Sequence, residues 1–132
     1  MKLTENFSKR EFDCKDGTTT PDDLMDNLRK LAENLQKIRD EIGIPIRVMS
    51  GYRSPEYNKR VGGAKKSQHV LAKAADLQVS GMSTTDLANT IKQLIKDGVV
   101  DPGGVGLYET FVHYDVRGRN ARWYGKGMRP KK

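Results

Sequence analysis

The chain has only two histidines, His69 and His113, among its 132 residues. Any imidazole-based site with two nitrogens must therefore use both. Asp76 follows His69 after VLAKAA, a run that is small and apolar apart from its lysine. Asp76 also falls within Ala74 to Val79, a strand candidate, and an acid in a half-buried strand needs a partner. His113 lies in Phe111-Val112-His113-Tyr114-Asp115-Val116. Strand alternation puts Phe111, His113 and Asp115 on one face. Two imidazoles and one carboxylate make a zinc site of the hydrolytic type, whose fourth position stays open for water. Zinc lowers the pKa of that water to about 7 and polarises a carbonyl, and a nearby carboxylate takes and returns the proton. The plainer reading is that each histidine is an ordinary polar residue and that Asp76 caps a turn or pairs with an arginine.

These residues need elements to position them. The clearest is a helix predicted over about 21–42. Leu24, Leu28, Leu31, Leu35, Ile38 and Ile42 recur in steps of four and three along one face. Thr20 reads as its N-cap, with Asp23 completing a reciprocal cap, and Gly43 as its stop. A second helix is predicted over about 84–97, capped by Ser83 and closed by Gly98. Strand candidates are 46–49, 74–79, 105–108 and 111–116, the last two joined by a turn at Glu109-Thr110. This order predicts an α+β domain with a small, mainly antiparallel sheet and flanking helices. The stretch from Gly51 to Lys66 is irregular, with a turn at Tyr52-Arg53-Ser54-Pro55 and one short helical turn before Gly62-Gly63. A long irregular stretch in a compact domain points to function.

Bulk composition narrows the class. The chain is 36% hydrophobic and 31% charged, a globular composition that is long enough for a single domain spanning 1–132. No run approaches the roughly 18 apolar residues of a membrane span. No secretory signal is visible at MKLTENFSKREF, which leads to the expectation of a protein that is cytoplasmic until released, or virion-associated. The lone Cys14 excludes an internal disulfide and a cysteine-pair zinc site, and reads as a surface or partly buried thiol. The net charge is +7, and the segment 117–132 carries as much by itself, with Arg117, Arg119, Arg122, Lys126, Arg129, Lys131 and Lys132 and no acid. Such a segment binds nucleic acid, binds an anionic wall polymer, or is simply solvated. The absence of zinc-finger spacing and of an RNA-recognition aromatic signature speaks against nucleic acid.

The segments SGYRSPEYNKRVGGAKKSQHVLAKAADLQV and GVGLYETFVHYDVRG resemble a known family. It is the zinc D-Ala-D-Ala carboxypeptidases and related peptidoglycan endopeptidases of the hedgehog/DD-peptidase superfamily, in their short single-domain bacterial or phage form. The likeness extends more weakly to Phe7–Phe12 and the first helix. It implies that His69, Asp76 and His113 bind one zinc ion. It also implies that Arg53 holds a substrate carboxylate or developing oxyanion, and that Ser67, Gln68 and Tyr52 contact substrate. Two departures stand out. Ala72 occupies a position where many members have glycine. Thr110 stands where better-known relatives place the acid that serves as general base. Asp115, on the face of His113, is the first candidate for that role, and Glu109, at the hairpin tip, is the second.

The resemblance thus implies zinc-dependent hydrolysis of a peptide bond in peptidoglycan, with a stem peptide as partner and a monomer favoured. The displaced base motivates an alternative, a non-catalytic zinc-containing module that binds cell wall or a partner protein.

Overall fold

A computed structural model describes residues 1–125 and Met128. The helices are α1 (Met25–Ile42), α2 (Pro55–Arg60) and α3 (Thr84–Lys96). The strands are β1 (Ile46–Ser50), β2 (Ala74–Val79), β3 (Gly104–Leu107), β4 (Val112–Asp115) and β5 (Ala121–Tyr124). They form one sheet in the order β1-β2-β4-β3-β5. All its pairs are antiparallel except β3 with β5. The predicted α+β class and mainly antiparallel sheet are present.

Alternation divides the sheet into two faces. Ala75, Leu77, Val105, Val112 and Tyr114 point into the core. There they join Leu28, Leu31, Leu35 and Ile38 of α1 and Leu87 and Ile91 of α3. The period-four-and-three stripe of α1 is therefore buried, as its spacing requires. Asp76, His113 and Asp115 occupy the alternate positions and face away from the helices.

Three local expectations need correction. The first helix begins later than its apolar pattern suggests. Pro21 is extended (φ −60°, ψ 149°), Asp22–Leu24 make a 3₁₀ turn, and α1 starts only at Met25. Thr20 does not cap it: its hydroxyl is buried without a partner. The basic C-terminal segment is not a free tail over its described part. Residues 121–124 form β5, and Arg122 donates to the carbonyl of Gly103 at 2.6 Å. Lys126, Arg129, Lys131 and Lys132 lie outside the described residues. Cys14 is buried rather than on the surface.

The loop from α2 to β2 ends in a helical C-cap made without glycine. The Lys73 amide donates to the Gln68 carbonyl at 3.0 Å, and the Ala72 amide to His69 at 3.2 Å. This is the Schellman pattern, which places its penultimate residue in the left-handed region. That residue is Ala72, with φ 58°. An L-residue there costs about 1–2 kcal/mol, partly offset by the loss of chain entropy glycine would bring and by burial of the methyl group. Ala72→Gly should therefore change stability by less than about 1 kcal/mol. Ala72→Val, which adds β-branching and volume at a fully buried position, should cost more than about 2 kcal/mol. Denaturant unfolding of the two variants checks both.

Candidate metal centre

A single row across the sheet carries the site. Ser50 pairs with Asp76, Asp76 with His113, His113 with Gly106, and Gly106 with Trp123. Directly paired residues have Cβ atoms about 4.5–5.5 Å apart, so the acid and the imidazole are neighbours by register alone. His69 arrives from the loop above them. Its backbone is fixed by the Arg53 amide, which donates to its carbonyl at 3.1 Å. Its own amide donates to the Ser67 hydroxyl at 3.2 Å.

The two rings have their outer nitrogens engaged elsewhere. His69 Nδ1 lies 2.8 Å from the Gly51 carbonyl, which can only accept, so Nδ1 carries the hydrogen. His113 Nε2 lies 2.7 Å from Asp115 Oδ2. Asp115 is held ionised: burial would raise its carboxyl, but His113, Arg117 and the Gly104 amide outweigh this and keep it well below the usual range. His113 Nε2 therefore donates. In the neutral rings, His69 Nε2 and His113 Nδ1 are left with lone pairs. Both face Asp76 Oδ1, each at 3.3 Å. Burial opposes ionisation of Asp76 too, but hydrogen bonding and positive charge from His113 and His69, when a ring takes up a proton, outweigh it and hold the carboxyl well below its ordinary range. Its Oδ1 is buried and has no aligned hydrogen bond.

With both rings neutral, three lone pairs thus converge on one point, an arrangement that a cation relieves. The three donor atoms lie within 4.8 Å of one another. Tetrahedral zinc with bonds of about 2.0–2.1 Å holds its ligands about 3.3–3.4 Å apart, which matches both separations from Asp76. The donor set and its orphaned oxygen fit zinc.

The centre lies in a cleft of about 480 Å³. Arg53, Ser67 and Gln68 line one wall, and Tyr108, Phe111 and Trp123 the other. A second hollow of about 550 Å³ lies against β1 and the start of α3, with Ile46, Val79, Met82 and Leu87 among its lining. It holds no metal-ligating cluster. The Arg53 guanidinium makes three long contacts of 3.4 Å each, to Ser50 Oγ, Asn58 Oδ1 and Asp76 Oδ2. It is steered but loosely held. Gln68 Oε1 is buried without a partner beside the cleft.

Three predicted site residues sit elsewhere. Asp115 is fully buried, and its oxygens accept from His113, the Gly104 amide, and the amide and guanidinium of Arg117. It lies behind the His113 ring, not in the cleft, and neither oxygen is free to take a proton from water. Its contact with Nε2 fixes the orientation of the imidazole. Glu109 is exposed on the hairpin and does not line the cleft. Tyr52 is buried in the core and does not line it either.

The row also depends on two glycines that the sequence reading passed over. A Cβ on Gly106 would overlap the indole of Trp123, and one on Gly104 would overlap Asp115 Oδ2. Their missing side chains let Trp123 lean over the strand onto His113, with ring centroids 4.9 Å apart. They also let Arg117 reach Asp115 while lying over the indole at 5.3 Å. The legible signal was Gly104-Val105-Gly106, glycine at alternate positions on one face of a strand.

A buried centre of two imidazoles and one carboxylate fits a metallopeptidase. Residues 3–115 match the family model for peptidase M15, and the chain belongs to that family. It is 30% identical to the probable peptidoglycan L,D-endopeptidase MepK of Haemophilus influenzae, across 95% of this chain and 70% of that protein. It is 33% identical to the zinc D-Ala-D-Ala carboxypeptidase of Streptomyces albus G, across 68% of this chain but only 34% of that longer protein.

The placement of Asp115 separates two roles by experiment. Asp115→Asn keeps the shape but weakens the grip on His113, so metal affinity should fall about 10–100-fold. Competition with a chromophoric chelator measures it. Unchanged affinity with lost turnover would instead mark Asp115 as a proton acceptor.

Proposed function

We propose that this chain is a zinc-dependent peptidase that hydrolyses a peptide bond in peptidoglycan stem peptides or cross-links. One zinc ion would be held by His69 Nε2, Asp76 Oδ1 and His113 Nδ1. The observation that carries this reading is the convergence of His69 Nε2, Asp76 Oδ1 and His113 Nδ1 on one buried point. The names of the two relatives support the substrate class. A bound zinc ion supplies a Lewis acid and a water of lowered pKa.

The chain's own residues supply the rest. Arg53 and Lys66 line the cleft, against one carboxylate, that of Asp76. The third cation, Arg117, is tied to Asp115. The free balance favours a substrate carrying a carboxylate, which the wall's stem peptides provide. Arg53, with its long contacts, can exchange them for a bidentate grip on that group. The orphaned acceptor of Gln68 can take a substrate amide N–H. The bond cleaved, at a chain end or within a cross-link, depends on which side of the centre that carboxylate lies.

One observation favours a second reading, a zinc-containing module that binds wall without cutting it. Among the described residues, no carboxylate other than Asp76 lines the cleft.

Purified protein should release new amine groups from peptidoglycan. Chelation should abolish this and added zinc restore it, and His113→Ala should lose both the ion and the activity. Binding to sacculi with zinc bound and no new amines would establish the second reading.

A further inference from the structure

The wall of the cleft opposite Arg53 holds a hydroxyl that no sequence signal marked. Tyr108 follows β3 and lies two residues beyond Gly106, so it returns to the site face. Three contacts fix it. Its ring stacks on Phe111, with centroids 4.4 Å apart and planes 13° from parallel. Its backbone amide donates to the Phe111 carbonyl at 3.1 Å. Its ring edge lies so close to Gly125 that a Cβ there would overlap it.

The fourth contact sets the polarity of the hydroxyl. Trp123 Nε1 lies 2.9 Å from Tyr108 Oη. An indole N–H only donates, so the phenol oxygen accepts. The phenol's own hydrogen has no acceptor among the described residues. It is a free donor on a rigid mount. Its location follows from the ladder. Trp123 Nε1 sits over Gly106, which pairs with His113. The hydroxyl it anchors therefore stands on the same row as the imidazole and on the same cleft as Asp76 and His69. The hydrogen bond from the indole also polarises the phenol and strengthens it as a donor.

From this geometry we infer that Tyr108 is a catalytic residue: its hydroxyl donates a hydrogen bond to the substrate carbonyl oxygen as that oxygen becomes an oxyanion. The inference rests on the peptidase reading and adds a residue to it. No covalent bond to Tyr108 forms and no proton leaves it. The donor gains strength only as negative charge develops, so it acts on the transition state more than on bound substrate. Arg53, on the other wall, is then free to hold the substrate carboxylate.

Tyr108→Phe keeps the stacking on Phe111 and removes only the hydroxyl. Measured on a peptidoglycan-derived peptide, kcat should fall about 10²–10³-fold. KM should stay within about threefold, with zinc content unchanged and the melting temperature lowered by no more than about 5 °C, the effect of losing the hydrogen bond from Trp123. A phosphinate analogue of the tetrahedral intermediate should lose affinity in parallel with kcat/KM, while the product peptide binds as before. Replacing Tyr108 by 3-fluorotyrosine keeps the donor but makes the phenol more acidic, so turnover should match wild type at neutral pH and fall at alkaline pH where the wild type still works. It is the variant to read if the phenylalanine form does not fold, and an alkaline limb identical to wild type would overturn the assignment. Turnover within twofold of wild type in Tyr108→Phe, or equal losses of analogue and product affinity, would overturn the assignment while leaving the peptidase reading intact. A zinc-loaded wild type that cleaves nothing would overturn both.

Discussion

Asp76 Oδ1 sits between two imidazole nitrogens whose ring partners already hold the available hydrogens. The Gly51 carbonyl takes the N–H of His69, and Asp115 takes that of His113. What remains is a buried oxygen facing two lone pairs at 3.3 Å. Such a contact is repulsive until a cation or a proton enters, and burial removes the water that would otherwise screen it. Much of the site can be understood as holding this arrangement. Arg117 clamps Asp115, Asp115 holds His113, and the left-handed turn at Ala72 carries the chain from His69 into β2.

The sheet allows this because its two faces do different work. The core-facing positions of β2, β3 and β4 are apolar and pack on α1 and α3. The opposite positions carry an acid, an imidazole, another acid and two glycines. The glycines are as necessary as the ligands. They clear the space in which Trp123 covers His113 and in which Arg117 reaches Asp115. A side chain at either position would push the covering groups away from the ring they hold.

How much of this was legible varies with the kind of signal. Scarcity of histidine, spacing and strand alternation pointed to His69, Asp76 and His113, and the family resemblance was needed to join them in one site. The stripe of α1 was enough to find its helix, though not its start, because Pro21 takes an extended conformation and Thr20 is buried away from the helix end. β5 was hidden by its charge. Its four residues read as part of a basic tail, and its parallel pairing with β3 is a long-range contact that local patterning does not encode. The role of Asp115 was ambiguous for a different reason. Alternation says that it shares a face with His113, but not which side of the ring it takes. Arg117 and the Gly104 amide decide that. Tyr52 was misplaced because an irregular loop has no period from which to read a direction, and its side chain turns into the core.

The most direct test of the central claim is a count of protons. In the metal-free protein, burial disfavours the charged form of His113, but Asp115 and Asp76 outweigh it and raise the group above its ordinary value. An incoming ion must therefore compete with a proton for this ring nitrogen. Calorimetric titration of zinc into the metal-free protein, repeated in buffers of different ionisation enthalpy at pH 7, measures that release. The account predicts one ion per chain, a net release of protons on binding, and an affinity that weakens as pH falls. Saturable binding with no proton release and no dependence on pH, or binding that persists in His113→Ala, would contradict it.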